Sequence, residues 1–227
     1  MEETRHTLTD FEEALIGLRR NVLTMASLTT SSLQNALSGL RDRNNDLCRR
    51  VIADDEKVDQ LEIEIDHDGL DLLLRFQPVA CDLRRVVSAM KISPNLERIG
   101  DESVNIARRI RELNQHQALP ETDLISTMGA YAMEMFQSSV DAYSRGDAEL
   151  ARSLRERDKT LDEMNSTALR RLVARVPDDP DHLRGYLDLT FIAAHLERIG
   201  DHATNIGEET VYAAEAEDIR HPPHQPA

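Results

Sequence analysis

Aromatic residues are scarce in this chain of 227 residues. They make up only 4% of the sequence, and tryptophan is absent. A β-sandwich or β-barrel of this length would contain more aromatic and β-branched residues, so both folds are disfavoured. Leu, Ala, Arg, Glu and Asp dominate instead, which is the composition of long helices. We therefore expect an all-α protein.

Long apolar runs and cysteine frameworks are also missing. No apolar run approaches the ~18 residues of a membrane span, and the first ten residues are too polar for a secretory segment. The two cysteines, Cys48 and Cys81, form no CxxC motif and are expected to be reduced thiols. The sequence thus predicts a cytoplasmic protein without direct membrane insertion.

Acidic residues outnumber basic ones. The chain has 42 Asp and Glu against 27 Lys and Arg, a formal net charge of −15 and a pI of about 4.9. This charge repels phosphate backbones and anionic lipid surfaces, so nucleic acid is not an expected partner. It favours cations, or a protein with a basic surface.

Glycine and proline are few and mark the ends of long segments with apolar residues spaced three and four apart. That spacing predicts amphipathic helices. Gly146 and Asp147 are expected to end one helix and cap the next, and Thr9 to Glu12 forms a capping box for the first. The six predicted helices span about Thr9–Asp42, Asn45–Phe76, Asp82–His116, Glu121–Arg145, Asp147–Arg175 and Pro180–Glu217.

The sequence also repeats itself. The six letters LERIGD at Leu96–Asp101 return at Leu196–Asp201, 100 residues later. Such an identity indicates an internal duplication. We predict two tandem three-helix bundles, at residues 8–117 and 120–217, followed by a disordered tail at 218–227.

Each copy contains a row of oxygen-bearing side chains. Glu97, Asp101 and Asn105 are four residues apart, which places their Cβ atoms ~5–6 Å apart on one helix face. Carboxylates stacked in this way repel by roughly 0.2–0.5 kcal/mol, and a cation would reverse the sign. Asp55 and Asp59 form a similar pair on the preceding helix, and both rows would face one cleft if the helices were antiparallel.

The second copy supplies the matching row. Asp158 and Asp162 correspond to the earlier pair at a shift of 103 residues. Four carboxylates and an amide oxygen suit hard or borderline divalent ions such as Mg²⁺, Mn²⁺ or iron. The predicted metal ligands of this copy are Glu197, Asp201, Asn205, Asp158 and Asp162, with His202 as a nitrogen ligand or a supporting group.

Two alternatives remain open for these rows. Acids four apart on a helix are usually a solvated face. Gly100 and Gly200 indicate either close approach of a ligand to the backbone or tight packing of helices. Pro94 interrupts the first copy where the second has Ala194, so a kink and a difference in geometry between the two sites are expected.

The doubled LERIGD, each followed by an Asn-Ile pair, on two three-helix bundles of this length resembles the PhoU family of phosphate-signalling proteins. The resemblance extends from about Phe11 to Tyr212 and assigns the family's metal motif to Glu97 and Asp101, and to Glu197 and Asp201. It implies multinuclear sites for iron, zinc, manganese or magnesium. It also implies a cytosolic, often homodimeric regulator that restrains the ATPase subunit of the high-affinity phosphate transporter and a sensor histidine kinase.

Two other functions are alternatives to this regulatory adaptor. A carboxylate-bridged metalloenzyme would carry Glu-x-x-His motifs on its core helices, but Gly100 and Gly200 stand where those histidines would be. No nucleophile triad or phosphate-binding glycine loop is present in the sequence. The other alternative is a metal-free helical scaffold.

Overall fold

The computed structural model describes the backbone of residues 2–220 and the side chains of residues 9–220. The described residues form seven α-helices and one short 3₁₀ turn, with no strand among them. The all-α prediction is confirmed. The helices are α1 (Glu2–Arg41), α2 (Asn45–Asp54), α3 (Glu56–Phe76), α4 (Ala80–Leu113), α5 (Thr122–Arg145), α6 (Ala148–Arg175) and α7 (Leu183–Glu215), with the 3₁₀ turn at Pro180–His182.

Most helix boundaries agree with the sequence prediction, and two differ. Helix α1 already begins at Glu2, so Thr9 lies inside it and does not cap it. The predicted second helix is divided at Asp55 into α2 and α3, although Asp55 keeps helical angles of φ −59° and ψ −42°. The break is therefore a local change in hydrogen bonding, in which the Val58 amide donates to the Asp55 carbonyl three residues back.

The turn between α5 and α6 forms as the sequence predicts. Gly146 adopts a positive φ of 65°, which lets the chain leave α5 without a Cβ clash. The Asp147 side chain then accepts a hydrogen bond from the Leu150 amide at 2.9 Å. Asp147 thus caps α6 by satisfying one of its unpaired amides.

The two repeats share one core, and the first contains four helices because its predicted second helix is divided at Asp55. Helices α1 to α4 form the first unit and α5 to α7 the second, and one continuous cluster of buried apolar side chains runs through both. The units meet mainly where α4 packs on α7. Because residues early in α4 contact residues late in α7, the two helices are antiparallel.

Polar contacts along this α4–α7 seam obey an approximate two-fold symmetry. Asn95 of α4 hydrogen-bonds to His202 of α7 at 3.0 Å. The repeat-equivalent of Asn95 is His195, and that of His202 is Glu102. These two residues also form a hydrogen bond across the seam. The duplicated halves are therefore related by a pseudo-two-fold axis that passes through the seam.

Pro94 does not end α4, which continues through it to Leu113. Proline has no amide to donate to the Met90 carbonyl. The hydroxyl of Ser93 donates to that carbonyl at 3.4 Å instead. The acidic row that follows Pro94 is thus carried on an unbroken helix.

The described part of the chain contains no helix that combines the length and the apolar character needed to cross a membrane. Of the predicted tail, residues 221–227 lie outside the described residues. Arg220 is described and forms an ion pair with Glu209 at 3.7 Å.

The repeat-equivalent glycines Gly100 and Gly200 are packed differently. A Cβ on Gly200 would overlap the Cδ2 atom of Leu161, a fully buried side chain. A Cβ on Gly100 would lie 3.5 Å from Val58 Cγ1, an ordinary contact. Tight helix packing therefore accounts for Gly200 but not for Gly100.

We predict opposite effects of alanine at these two positions. Gly100→Ala should raise the free energy of unfolding by up to about 1 kcal/mol, because alanine favours the helix and fits the space. Gly200→Ala should lower it by about 1–3 kcal/mol, because Leu161 must be displaced within a filled core. Urea unfolding followed by circular dichroism measures both, and equal effects of the two substitutions would contradict this packing.

Candidate functional site

The acidic residues of the first repeat meet between α3 and α4. An oxygen of Asp55 lies 3.7 Å from the position that a Cβ on Gly100 would occupy, so α4 runs directly past this carboxylate. Burial raises the pKa of Asp55, and the nearby Asp59 and Asp101 raise it further. Helices α3 and α4 are antiparallel, since Gly69 lies against Met90 and Gly100 against Val58, and this arrangement brings the acids together.

Glu97 is the most perturbed carboxylate of this first acidic row. Its pKa is raised to about 7, mainly by burial and then by the neighbouring Asp101. Glu62 of α3 also raises this pKa, so Glu62 belongs to the row, although sequence reasoning missed it. Arg98 opposes the effect through ion pairs of 3.3 Å to Glu97 and 3.1 Å to Asp101.

The second acidic row, between α6 and α7, centres on Asp158. Burial and four neighbouring carboxylates together raise the pKa of Asp158 to about 6, with burial as the largest cause. In decreasing order of effect, the carboxylates are Asp201, Asp162, Glu197 and Glu208. Glu208 is a residue that sequence reasoning missed. The buried Oδ1 atom of Asp158 has no hydrogen-bond partner, which is a costly arrangement for a carboxylate.

No ion pair to Glu197 or Asp201 of the second row is present among the described residues, although Arg198 lowers the pKa of both. Burial followed by neighbouring acids raises the pKa values of both Glu197 and Asp201. Arg198, the equivalent of Arg98, is paired with Glu102 of α4 at 3.5 Å instead of with the row. The second row therefore has the greater unmet need for a cation.

The amide residues and the histidine at the ends of the rows are engaged elsewhere. Asn105 accepts a hydrogen bond from Arg108 at 3.5 Å. His202 and Asn205 both donate to the side-chain oxygen of Asn95, at 3.0 and 3.2 Å. Burial lowers the pKa of His202, and its contact with Asn95 places it at the α4–α7 seam.

The oxygen atoms of the two rows are suitable ligands for a metal ion, but their present positions are not. Their carboxylate oxygens are what magnesium, manganese and iron prefer, and the unpartnered oxygen of Asp158 is a free ligand atom. Within the range that the structure describes, however, no three His, Cys, Asp or Glu side chains are arranged closely enough to hold an ion together. Binding would thus require the side chains to rearrange.

A buried ionisable pair that sequence reasoning missed lies at the seam beside these rows. Glu102 of α4 is only 9% exposed and hydrogen-bonds to His195 of α7. Burial alone would raise the pKa of Glu102, but the bond to His195 and the nearby Arg198 bring it below its ordinary value. The pair holds the repeats in register, because a slip would leave a buried carboxylate unpaired.

Comparison with known proteins identifies a family. The family model described as the PhoU domain matches two segments, residues 22–110 and 125–210. A phosphate-specific transport system accessory protein PhoU homolog of Pseudomonas aeruginosa is 36% identical over 219 residues, covering 96% of this chain and 90% of the relative. A homolog of the same name from Zymomonas mobilis is 36% identical over 212 residues, covering 93% and 90% respectively.

Two crystal structures match as well. The structure of PhoU from Pseudomonas aeruginosa superposes with a TM-score of 0.88 at 36% identity, covering 91% of this chain and all of that one. The phosphate transport system regulatory protein PhoU of Streptococcus pneumoniae gives a TM-score of 0.85 at 25% identity, covering 92% and 99%. The similarity therefore includes both repeats.

We predict that Asp158→Asn stabilises the metal-free protein. At about pH 7.5 the substitution removes a charge that the neighbouring acids repel, and the free energy of unfolding should rise by about 1 kcal/mol after allowance for solvent screening. Glu163→Gln, which neutralises an exposed carboxylate of the same helix, is the matched control and should have little effect. Destabilisation by Asp158→Asn in metal-free buffer would contradict the repulsion.

The difference in free energy of unfolding between Asp158→Asn and the wild-type protein should depend on pH. The folded-state pKa of Asp158, about 6, lies above the value near 4 of an unfolded carboxylate. The folded wild-type protein therefore takes up a proton first as the pH falls, and it gains stability. The advantage of Asp158→Asn should shrink between about pH 7.5 and about pH 5, which urea unfolding at each pH measures.

Proposed function

The chain belongs to the PhoU family, and on that premise we propose that it is a regulatory adaptor of phosphate transport. In this role the protein restrains phosphate uptake and phosphate-starvation signalling by linking the transporter's ATPase subunit to a sensor histidine kinase. Its main support is the match of the family to both repeats. The relatives are named as accessory proteins, which favours an adaptor over a carboxylate-bridged metalloenzyme.

The proposal includes a divalent metal ion at the acidic rows. The residues that would hold it best are those of the second row, Asp158, Asp162, Glu197 and Asp201, with Glu208 nearby. A bound cation would neutralise their mutual repulsion and offer an open coordination position to an anionic group of a ligand or partner. The ion is one of magnesium, manganese, iron or zinc.

The two rows should differ in affinity. In the first row, Arg98 already bridges Glu97 and Asp101, and Arg108 lowers the pKa of Asp55. A metal ion must compete there with two guanidinium groups. At the position of Arg108 the second repeat has Glu208, so its row should bind more tightly.

We predict that Glu197→Ala with Asp201→Ala weakens Mn²⁺ binding at least about tenfold and leaves the helical content unchanged. Glu97→Ala with Asp101→Ala is the matched control at equivalent positions and should weaken it less. Isothermal titration calorimetry measures binding, and circular dichroism checks the fold. Elemental analysis of the protein purified without added metal distinguishes the metal-binding adaptor from a metal-free scaffold.

The adaptor role is tested by capture of partners. The purified chain, immobilised in high phosphate, should retain the cytoplasmic part of the cognate kinase and the cognate transporter ATPase, and less of either when phosphate is low. Light scattering of the free protein tests the proposed homodimer. Failure to retain both partners under every phosphate condition would refute the role, whether or not metal is bound.

A further inference from the structure

A basic cavity lies at one end of the α4–α7 seam, beyond the first acidic row. Its volume is about 390 Å³. Three of its lining residues are arginines from the last turns of α4, and one is a residue of α7. The lining residues are Asn105, Arg108, Arg109, Arg111, Glu112 and His195. Three arginines lining one concavity are unexpected in a chain of net charge −15.

The positive charge of this cavity is only partly compensated, since Arg109 pairs with Asp188 and Arg108 lowers the pKa of Asp55. Among the described residues, neither Arg108 nor Arg111 has a carboxylate within ion-pair distance. The single acid in the lining, Glu112, faces Arg184 of α7 at 4.0 Å. The helix dipole favours a cation such as Arg111 in the last turn of α4, but it does not explain three arginines around a cavity.

One of the arginines is held in a fixed position. Arg109 contacts the buried carboxylate of Asp188 at 3.4 Å, and its guanidinium lies 4.2 Å from the ring centre of Phe191. These contacts immobilise the planar group without enclosing it, since its side chain remains 39% exposed. A pre-positioned guanidinium loses little entropy when it binds a tetrahedral oxyanion through two parallel hydrogen bonds.

The duplicated fold does not require these arginines. At the equivalent positions of α7, Glu208, Glu209 and Val211 replace the three arginines, and the last turn of α7 contains no basic residue. Packing at the pseudo-symmetric end of the seam is thus achieved with the opposite charge. The contacts with Asp188 and Phe191 give Arg109 a role in the fold, whereas Arg108 and Arg111 need another explanation.

We propose that this cavity binds a phosphoryl dianion, either free inorganic phosphate or the phosphoryl group of a small molecule. Arg108 and Arg111 are exposed and supply positive charge, and Arg109 supplies the fixed planar guanidinium. The amide of Asn105 and the second ring nitrogen of His195 are further polar groups of the lining, His195 being oriented by its bond to Glu102. The site needs no metal, so it stands or falls separately from the acidic rows.

The test uses the full chain after removal of metal with EDTA, titrated calorimetrically with inorganic phosphate at constant ionic strength. Saturable binding is expected, and Arg108→Gln with Arg111→Gln should weaken it at least about tenfold. The control, Arg20→Gln with Arg170→Gln, removes the same charge from exposed positions elsewhere and should change affinity by less than about twofold, because distant charges are screened.

Further measurements make the outcome decisive. Circular dichroism verifies folding, and if the double variant is unfolded, Arg111→Gln alone replaces it and should still weaken binding. Tighter binding of adenosine diphosphate than of phosphate would identify a phosphorylated small molecule as the ligand, whereas the reverse order would identify free phosphate. The proposal is overturned if neither probe binds saturably, if the control weakens binding equally, or if a phosphate-free polyglutamate peptide binds more tightly than both.

Discussion

The antiparallel packing of α4 on α7 fixes the positions of the candidate sites relative to one another. The first acidic row lies between α3 and α4, the second lies between α6 and α7, and the basic cavity opens at the end of the α4–α7 seam. The packing is fixed by buried polar contacts, above all Glu102 with His195, and not by apolar burial alone. An unpaired carboxylate in this environment would be unfavourable by several kcal/mol, so alternative registers of the two helices are strongly disfavoured.

The duplication in the sequence made much of this arrangement predictable. Identical letters 100 residues apart identify equivalent helices, and the four-residue spacing of the acids places them on one face. Reliance on the repeat also explains what was missed. Glu62 has Asn165 as its equivalent and Glu208 has Arg108, so neither acid is repeated. Their signal was local: Glu62 follows Asp59 by three residues, and Glu208 follows Asp201 by seven.

The polar contacts of the seam could not be derived from spacing along one helix. They pair a residue of one copy with a residue of the other, for example Asn95 with His202, and such pairing depends on how the two helices pack. His202 was singled out in the sequence for its position beside the acids. The structure instead shows its Nδ1 atom bonded to Asn95. Similarly, the division at Asp55 leaves helical dihedral angles, and no residue preference predicts so slight a change.

The two copies have kept their backbone arrangement and diverged in charge. In the first repeat, Arg98 neutralises part of the acidic row and Arg108 stands at its edge beside the basic cavity. In the second, Arg198 forms an ion pair with Glu102 at the seam, and Glu208 occupies the position equivalent to Arg108. A single exchange of arginine for glutamate between equivalent positions alters the local charge by two units. Because the pseudo-two-fold axis relates the two positions, the exchange places opposite charges at the two ends of the seam, which is the basis for proposing an anion site at one end and a cation site at the other.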